Sequence, residues 1–462
     1  MRSLKPIQSF YQTDKSWTDD LPVCKQSGVG FSTNQIYRED GHRQEEHPFE
    51  DRSCHCSFDD GSCLYGVFDG HEGTKAADFC FQRMAAEILL GQLNEARTDE
   101  EVKEVLRQAF VSVEKSYMDS IYDLLAERLS YDIPEGLNCY EAYQKAPDMV
   151  VNINRINTEL SSGTAAAIAL IYNSKLYVAN VGNSRVLLCQ TDANSVLKVV
   201  QLSVDHDLRN EDELLRLSQI GIKMEDLRKR SHLGNQENTR CLGNYMVKGG
   251  YKEFEDLSSA SQEPVIAEAD IIGGIPIDES CQFLLLMSAG LYKSIEEATR
   301  TEQVNKYIAQ LCVEQFREQA TLTGVAQAVV DRAVRLHHDW YMSNSNSVKT
   351  KREDITLVMR NFNFPMPNAI NSPTNPSVSF NSVSPQNLTL TNTAVNSYNV
   401  STRNTTAENT NDTSSSSDGR RTDTDDGLGP DQRIDAYVDF SIYYNNVEKA
   451  RKNGTLPEGI DF

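Results

Sequence analysis

The sequence is short of positive charge, of long apolar runs and of paired cysteines, and each shortage closes off a class of protein. Lys and Arg number 45 against 67 Asp and Glu, a net charge of -22. Such a field repels phosphate backbones and anionic lipid, so the expectation is no nucleic acid and no direct membrane insertion, with divalent cations or basic protein surfaces fitting better. No run approaches the roughly 18 apolar residues of a spanning helix. The longest, 165–172 and 283–287, have the length of buried strands. The opening Met1-Arg2-Ser3-Leu4-Lys5-Pro6 lacks the apolar stretch of a signal peptide, so a cytosolic or nuclear chain is expected, assigned to the cytoplasm. The ten cysteines include no CxxC pair, and free thiols are expected. Cys54, His55, Cys56 and Cys63 cluster locally, but their spacing is irregular for zinc and an ordinary loop is the better reading. No repeat of solenoid length is visible.

At 462 residues, 39% of them hydrophobic and 24% charged, the chain has room for one large folded domain or two smaller ones. Its texture breaks near Phe364-Pro365, beyond which Asn, Ser, Thr and Pro dominate as far as position 430. A stretch of that kind buries too little surface to offset its chain entropy, so a disordered linker is expected. Ser372-Pro373 and Ser384-Pro385 within it are candidate targets of proline-directed kinases. The expected division is a segment 1–26, a globular domain 27–364, the linker 365–430, a helix over 431–452 and a tail 453–462.

Inside the globular part, 64–68 reads as a buried strand entering the turn Asp69-Gly70-His71-Glu72-Gly73. Ala77, Phe81, Met84 and Ile88 recur at helical spacing, and Val102, Leu106, Phe110, Val113, Tyr117, Ile121 and Leu124 predict one longer amphipathic helix. The runs 165–172 and 175–180 predict strands joined by Asn173-Ser174, and 185–190 and 196–202 continue them; connections this short demand antiparallel neighbours. A helix follows with Asn210 as N-cap, Glu213 three residues on as in a capping box, and Gly221 beyond its end. Strand, helix, helix and strand over 283–288, 302–316, 322–338 and 355–360 complete an α+β pattern of antiparallel sheets covered by helices.

Four polar clusters fall at expected strand ends: Glu39-Asp40, Asp69-Gly70-His71-Glu72-Gly73, Gly182-Asn183-Ser184-Arg185 and Glu353-Asp354-Ile355-Thr356. Each alone is an ordinary polar turn. Together, carboxylates with a glycine whose carbonyl can approach an ion suit a pair of hard cations for phosphoryl hydrolysis. Their order resembles protein phosphatase 2C, the metal-dependent Ser/Thr phosphatases of the PPM type. That resemblance implies an αββα sandwich, two antiparallel sheets flanked by helices. It covers about Ser27 to Phe362 and rests on Tyr65-Gly66-Val67-Phe68-Asp69-Gly70-His71-Glu72-Gly73, on Ser162-Gly163-Thr164-Ala165, on Leu176 through Gly182, on Asp205-His206 and on Arg240-Cys241-Leu242-Gly243.

The departures from the family pattern bear on activity. Four residues before Glu39, where the family has an arginine that grips phosphate, stands Gln35; Asn183 replaces an aspartate; and Ser288-Ala289-Gly290 replaces Ser-Asp-Gly, whose aspartate is a metal ligand. The last ligand pair reads Glu353-Asp354 in place of Asp-Asn. Disturbing even a group that only orients a metal ligand costs about 10- to 100-fold. Gln at position 35 forfeits a bidentate, charge-assisted grip. The resemblance so altered implies a pseudophosphatase with no required cofactor, in which Glu39, Asp69 and Gly70 hold Mg2+ or Mn2+ weakly at most while Asp40 and His71 persist as relics. A slow metal-dependent Ser/Thr phosphatase is the alternative.

In the tail, Gly429-Pro430-Asp431 reads as a helix start, and Tyr437, Phe440, Tyr444 and Val447 follow at spacings of three, four and three. An apolar stripe without a core of its own points to a helix that folds into a partner's groove. Ser16-Trp17-Thr18-Asp19-Asp20-Leu21-Pro22, the helix after Asn210, and Tyr437-Val438-Asp439-Phe440 are similar to the adaptor branch of the family. Those pseudophosphatases dock a tail helix on the catalytic domain of the TGF-β-activated MAP3 kinase and promote its autophosphorylation. The resemblance implies Phe440 as the anchor beside Tyr437, Val438, Asp439, Tyr443 and Tyr444. It also implies an inhibitor-of-apoptosis protein and a stress-activated MAP kinase as further partners, whose surfaces are not recognisable in the sequence.

Overall fold

A computed structural model describes residues 17–38, 43–89, 93, 98–131, 146–194, 196–343 and 351–367. Glu39, Asp40, the linker and the tail helix expected over 431–452 lie outside the described residues.

Two antiparallel sheets form the centre. One has the order β11 (Asp270–Pro276), β7 (Lys175–Val181), β6 (Gly163–Tyr172), β5 (Cys63–His71), β4 (Arg52–Ser57), with the short β10 (Leu242–Gly243) paired to β6. The other runs β1 (Ser27–Ser32), β14 (Ile355–Asn361), β12 (Cys281–Met287), β8 (Arg185–Thr191), β9 (Leu197–Gln201). A third, small sheet has the order β13 (Lys351–Arg352), β2 (Gln35–Tyr37), β3 (Arg43–Gln44).

Side chains along a strand alternate between faces, and here both faces are apolar. On β6, Ala166, Ile168 and Leu170 pack outward beneath α1 (Lys75–Leu89) and α2 (Asp99–Ser120), while Ala167 and Ala169 face the opposite sheet. On β12, Leu284 and Leu286 enter the space between the sheets, and Phe283, Leu285 and Met287 pack under helices. Those helices are α7 (Ala289–Thr299), α8 (Val304–Glu318) and α9 (Leu322–Ser343). The four layers, helix, sheet, sheet, helix, are the αββα sandwich that the family resemblance implied.

Several local readings are corrected. The helix expected without a break through Leu124 divides at Ile121, where φ is -97° and ψ 6°, into α2 and α3 (Tyr122–Ser130). A further helix, α4 (Pro147–Ser161), starts on a proline and had no counterpart in the reading. Residues 54–56 are not loop but β4, with Cys54 and Cys56 packed on the helix side and Cys63 of β5 between the sheets. The short connection after β7 is no hairpin: Gly182, at φ 84°, passes the chain from one sheet to the other. Asn210 caps α5 (Glu211–Gln219) by accepting from the Asp212 N–H, as expected. Glu213 does not complete a box. It is buried and accepts hydrogen bonds from Arg216, Thr239 and Arg240. Burial alone would raise its pKa, but those donors outweigh it and hold the carboxyl down at about 2. Next to α5 stands the one-turn α6 (Met224–Leu227). Among the described residues no helix is long and apolar enough to cross a membrane.

Candidate functional site

One end of the sandwich gathers the conspicuous polar residues. Asp69, Gly70 and His71 close β5, held by register to Ala165, Thr164 and Gly163 of β6. The chain crossing at Gly182 delivers Asn183, the first turn of α7 delivers Ala289 and Lys293, and the turn between β13 and β14 delivers Glu353 and Asp354. With Glu46, Glu50, Glu72 and Glu237 these residues line a cleft of about 620 Å³, in which seven carboxylates face one lysine.

Each carboxylate has its own environment. Asp69 Oδ2 accepts the Ala289 N–H at 2.7 Å. Burial raises its pKa to about 7, against that hydrogen bond and with the charge of Glu353 adding to the rise. Behind it lies Asp51, 1% exposed, with neither oxygen in a well-formed hydrogen bond. Burial first, then the Asp69 charge, push its carboxyl well above the usual range. The hydroxyls of Thr356 and Ser288 oppose this only partly. Asp354 is structural: its oxygens accept from the Asn34 N–H and amide at 2.5 and 2.8 Å and from the Glu50 N–H at 2.8 Å. Glu50 in turn accepts the Gly73 N–H at 2.8 Å. Two glycines are required by contact. A Cβ on Gly70 would stand 2.5 Å from the Glu50 carbonyl oxygen, and one on Gly290 would stand 1.9 Å from that of Asp354. His71 is desolvated, which lowers its pKa to about 4 and leaves the ring neutral.

The side chain that sequence reasoning passed over is Lys293. Its ammonium donates to Glu237 Oε2 at 2.7 Å and to both oxygens of Glu353 at 3.1 and 3.2 Å. Burial would favour the neutral amine, but the two carboxylates outweigh it and hold the cation firmly protonated. A charged residue in the first turn of a helix that opens on Ser-Ala-Gly was the available signal.

The expected site residues divide accordingly. Asp69, Gly70, His71, Asn183, Ala289 and Glu353 meet at the cleft. Gln35 does not line it: its strand is paired to β13 at Arg352 and the side chain is buried there. Glu39 and Asp40 fall outside the described residues. Besides Glu353-Asp354, a second Glu-Asp pair stands at this end, Glu50-Asp51 immediately before β4, with Glu50 lining the cleft; four residues ahead of Glu50 stands an acid, Glu46, rather than an arginine.

These residues do not fit a two-cation centre. Glu237 and Glu353 are taken by an ammonium, Asp354 by three N–H donors, and Ala289 supplies no ligand. Among the described residues no three of His, Cys, Asp or Glu converge as a ligand set.

The family profile for protein phosphatase 2C matches residues 127–337. The sandwich of two antiparallel sheets covered by helices accompanies that likeness to protein phosphatase 2C. Over 352 residues, 75% of this chain and 83% of the relative, the sequence is 27% identical to the "TGF-beta-activated kinase 1 and MAP3K7-binding protein 1" of Caenorhabditis elegans. It is 29% identical over 54% of the chain to the probable protein phosphatase 2C 2 of Paramecium tetraurelia, covering 69% of that protein. A solved structure of a sex-determining protein of C. elegans aligns with a TM-score of 0.46 at 14% identity, spanning 73% of this chain and 64% of that one.

Proposed function

We propose that the chain is a signalling adaptor that binds and activates a MAP3 kinase of the TGF-β-activated type, with its phosphatase 2C domain as a scaffold of little or no turnover. The observation that carries the loss of turnover is the Lys293 ammonium lodged between Glu237 and Glu353. Metal-assisted phosphoryl transfer needs mobile-charge compensation at the reacting oxygens, supplied by cations that polarise phosphate and activate water. An ammonium on a fixed stem neutralises carboxylates but has no open coordination position for either task. The vestigial site in this reading comprises Glu50, Asp51, Asp69, Gly70 and His71, with Asn183, Ala289, Lys293 and Glu353 as the altered positions. Gln35 has no part in it.

Kinase binding rests on the name of the C. elegans relative and on the aromatic stripe in the tail. Phe440 anchors a helix over 431–452, flanked by Tyr437, Val438, Asp439, Tyr443 and Tyr444, and docking favours the autophosphorylating state of the kinase. A central aromatic anchor typically carries about 2 to 4 kcal/mol, so Phe440→Ala in the full chain lowers affinity for the kinase catalytic domain by about 100-fold. Titration by calorimetry reads this directly, and unchanged affinity removes the tail from the account.

One observation favours the second reading, a slow phosphatase. Asp51 and Asp69 together have no hydrogen-bonded counter-cation, a setting in which a single Mg2+ or Mn2+ is held weakly. Phosphopeptide turnover with excess Mn2+ that is abolished by Asp69→Ala decides for it.

A further inference from the structure

The cleft holds hydrogen-bonding capacity that its own residues leave unused. Of its seven carboxylates, Glu237 and Glu353 share Lys293, Glu46 pairs with Lys351, and Asp354 and Glu50 accept N–H groups at 2.5 to 2.8 Å. Asp69 and Glu72 remain. Neither has an ion-pair partner among the described residues, and the exposed Glu72 makes no hydrogen bond there.

Two buried amides add to this. Asn183, 3% exposed, lines the cleft and makes no side-chain hydrogen bond among the described residues, while the Tyr292 hydroxyl donates to its backbone carbonyl at 3.2 Å. Asn238, 9% exposed, lines the same cleft, and its Oδ1 is buried without a partner. Buried side-chain amides are ordinarily hydrogen-bonded, so two unsatisfied ones in one cleft point to a ligand that brings donors. The surplus of negative charge decides among donors: a neutral one leaves it in place, and a cation removes it.

The acceptors are too dispersed for an atomic ion, since no three of His, Cys, Asp or Glu among the described residues converge. A cleft of about 620 Å³ has room for a whole side chain with some of its backbone. Guanidinium is planar, carries five N–H donors and no acceptor, and is more weakly hydrated than ammonium, so it suits carboxylates and amide oxygens set apart from one another. Lys293, between Glu237 and Glu353, is the cleft's own example of a side-chain cation held by its acids.

We propose that the cleft receives an arginine side chain from a basic segment of a partner protein, with Asp69 and Glu72 as counter-charges and Asn183 and Asn238 as neutral acceptors. This gives the domain of the proposed adaptor a class of partner, and it rests on the reading that the cleft lacks its two metal cations.

The test titrates a fluorescein-labelled peptide of alternating arginine and glycine with the full chain and reads anisotropy. Because a net charge of -22 attracts any basic peptide, charge-matched variants separate the cleft from the general field. Asp69→Asn combined with Glu72→Gln weakens binding by about tenfold or more. Glu100→Gln combined with Glu104→Gln, on the exposed side of α2, changes it by less than about twofold. Asn183→Ala, which leaves the charge alone, weakens binding by about threefold or more. Replacing each arginine of the peptide by uncharged citrulline abolishes saturable binding. Should the Asp69 variant not fold, the single exposed change Glu72→Gln is compared with Glu100→Gln. Equal losses in the cleft and α2 variants, saturable binding of the citrulline peptide, or no saturable binding by the unaltered chain overturns the proposal. The adaptor reading fails separately: Mn2+-dependent phosphopeptide turnover contradicts it, whereas absence of both turnover and peptide binding removes this inference alone.

Discussion

The two ends of β5 solve opposite problems of charge. At the Asp69 end carboxylates are in excess, and they are settled by backbone N–H groups, by proton uptake and by the single ammonium of Lys293. At the Cys63 end the Arg360 guanidinium is in excess, and the Cys24 sulfur, 3.7 Å from its Nη1, stands where a carboxylate is usual. One strand thus joins a cleft rich in carboxylates to a guanidinium that has no carboxylate partner among the described residues. What each end can do follows from the group supplying the missing charge.

Four substitutions sharpen that contrast. The largest effect belongs to Gly290→Ala, whose Cβ would fall 1.9 Å from the Asp354 carbonyl oxygen. The expected loss is about 3 kcal/mol or more by urea unfolding, because the turn and α7 must separate to admit it. Lys293→Met comes next. It strands Glu237 and Glu353, which are partly exposed, so water limits the loss to about 1 to 2 kcal/mol rather than the larger figure for a fully buried pair. If Lys293→Met proves neutral, the ammonium is not what settles the acidic end.

Asp69→Asn has a pH signature. Folding raises the Asp69 pKa to about 7, so the folded state binds that proton more tightly than the unfolded chain. The stability this gives is complete below about pH 4, the ordinary carboxylate pKa, and is lost as pH rises through about 7. Asparagine keeps the acceptor for the Ala289 N–H without the charge. Relative to the unaltered chain it gains about 1 to 2 kcal/mol between pH 4 and pH 8, read as a rise in Tm. Thr356→Val is the smallest: its hydroxyl makes no well-formed hydrogen bond, so stability changes by no more than about 0.5 kcal/mol.

Much of this architecture was legible because its physics is local. Short continuous apolar runs marked β5, β6, β8, β12 and β14, and helical stripes marked α1, α8 and α9, since burial on both faces of a strand or on one face of a helix imposes those patterns directly. What escaped depends on partners distant in sequence. β4 reads as an irregular Cys-His-Cys loop until it is paired to β5, and the two sheets are told apart only by the crossing at Gly182. At the site, Asp69 and Ala289 stood out because each sits in a distinctive turn. Glu50-Asp51 lay unremarked beside the more conspicuous Glu39-Asp40, and Lys293 acquires meaning only when a turn sixty residues away brings Glu353 to it.

The proposed loss of turnover requires that the acidic cleft fall short of the charge needed for phosphoryl transfer. Steady-state hydrolysis of a phosphoserine peptide by the purified full chain, in excess Mn2+ and with Asp69→Ala as control, tests it most directly. The expected rate is indistinguishable from that of Asp69→Ala; robust Mn2+-dependent turnover that disappears in that variant overturns the adaptor reading of the domain.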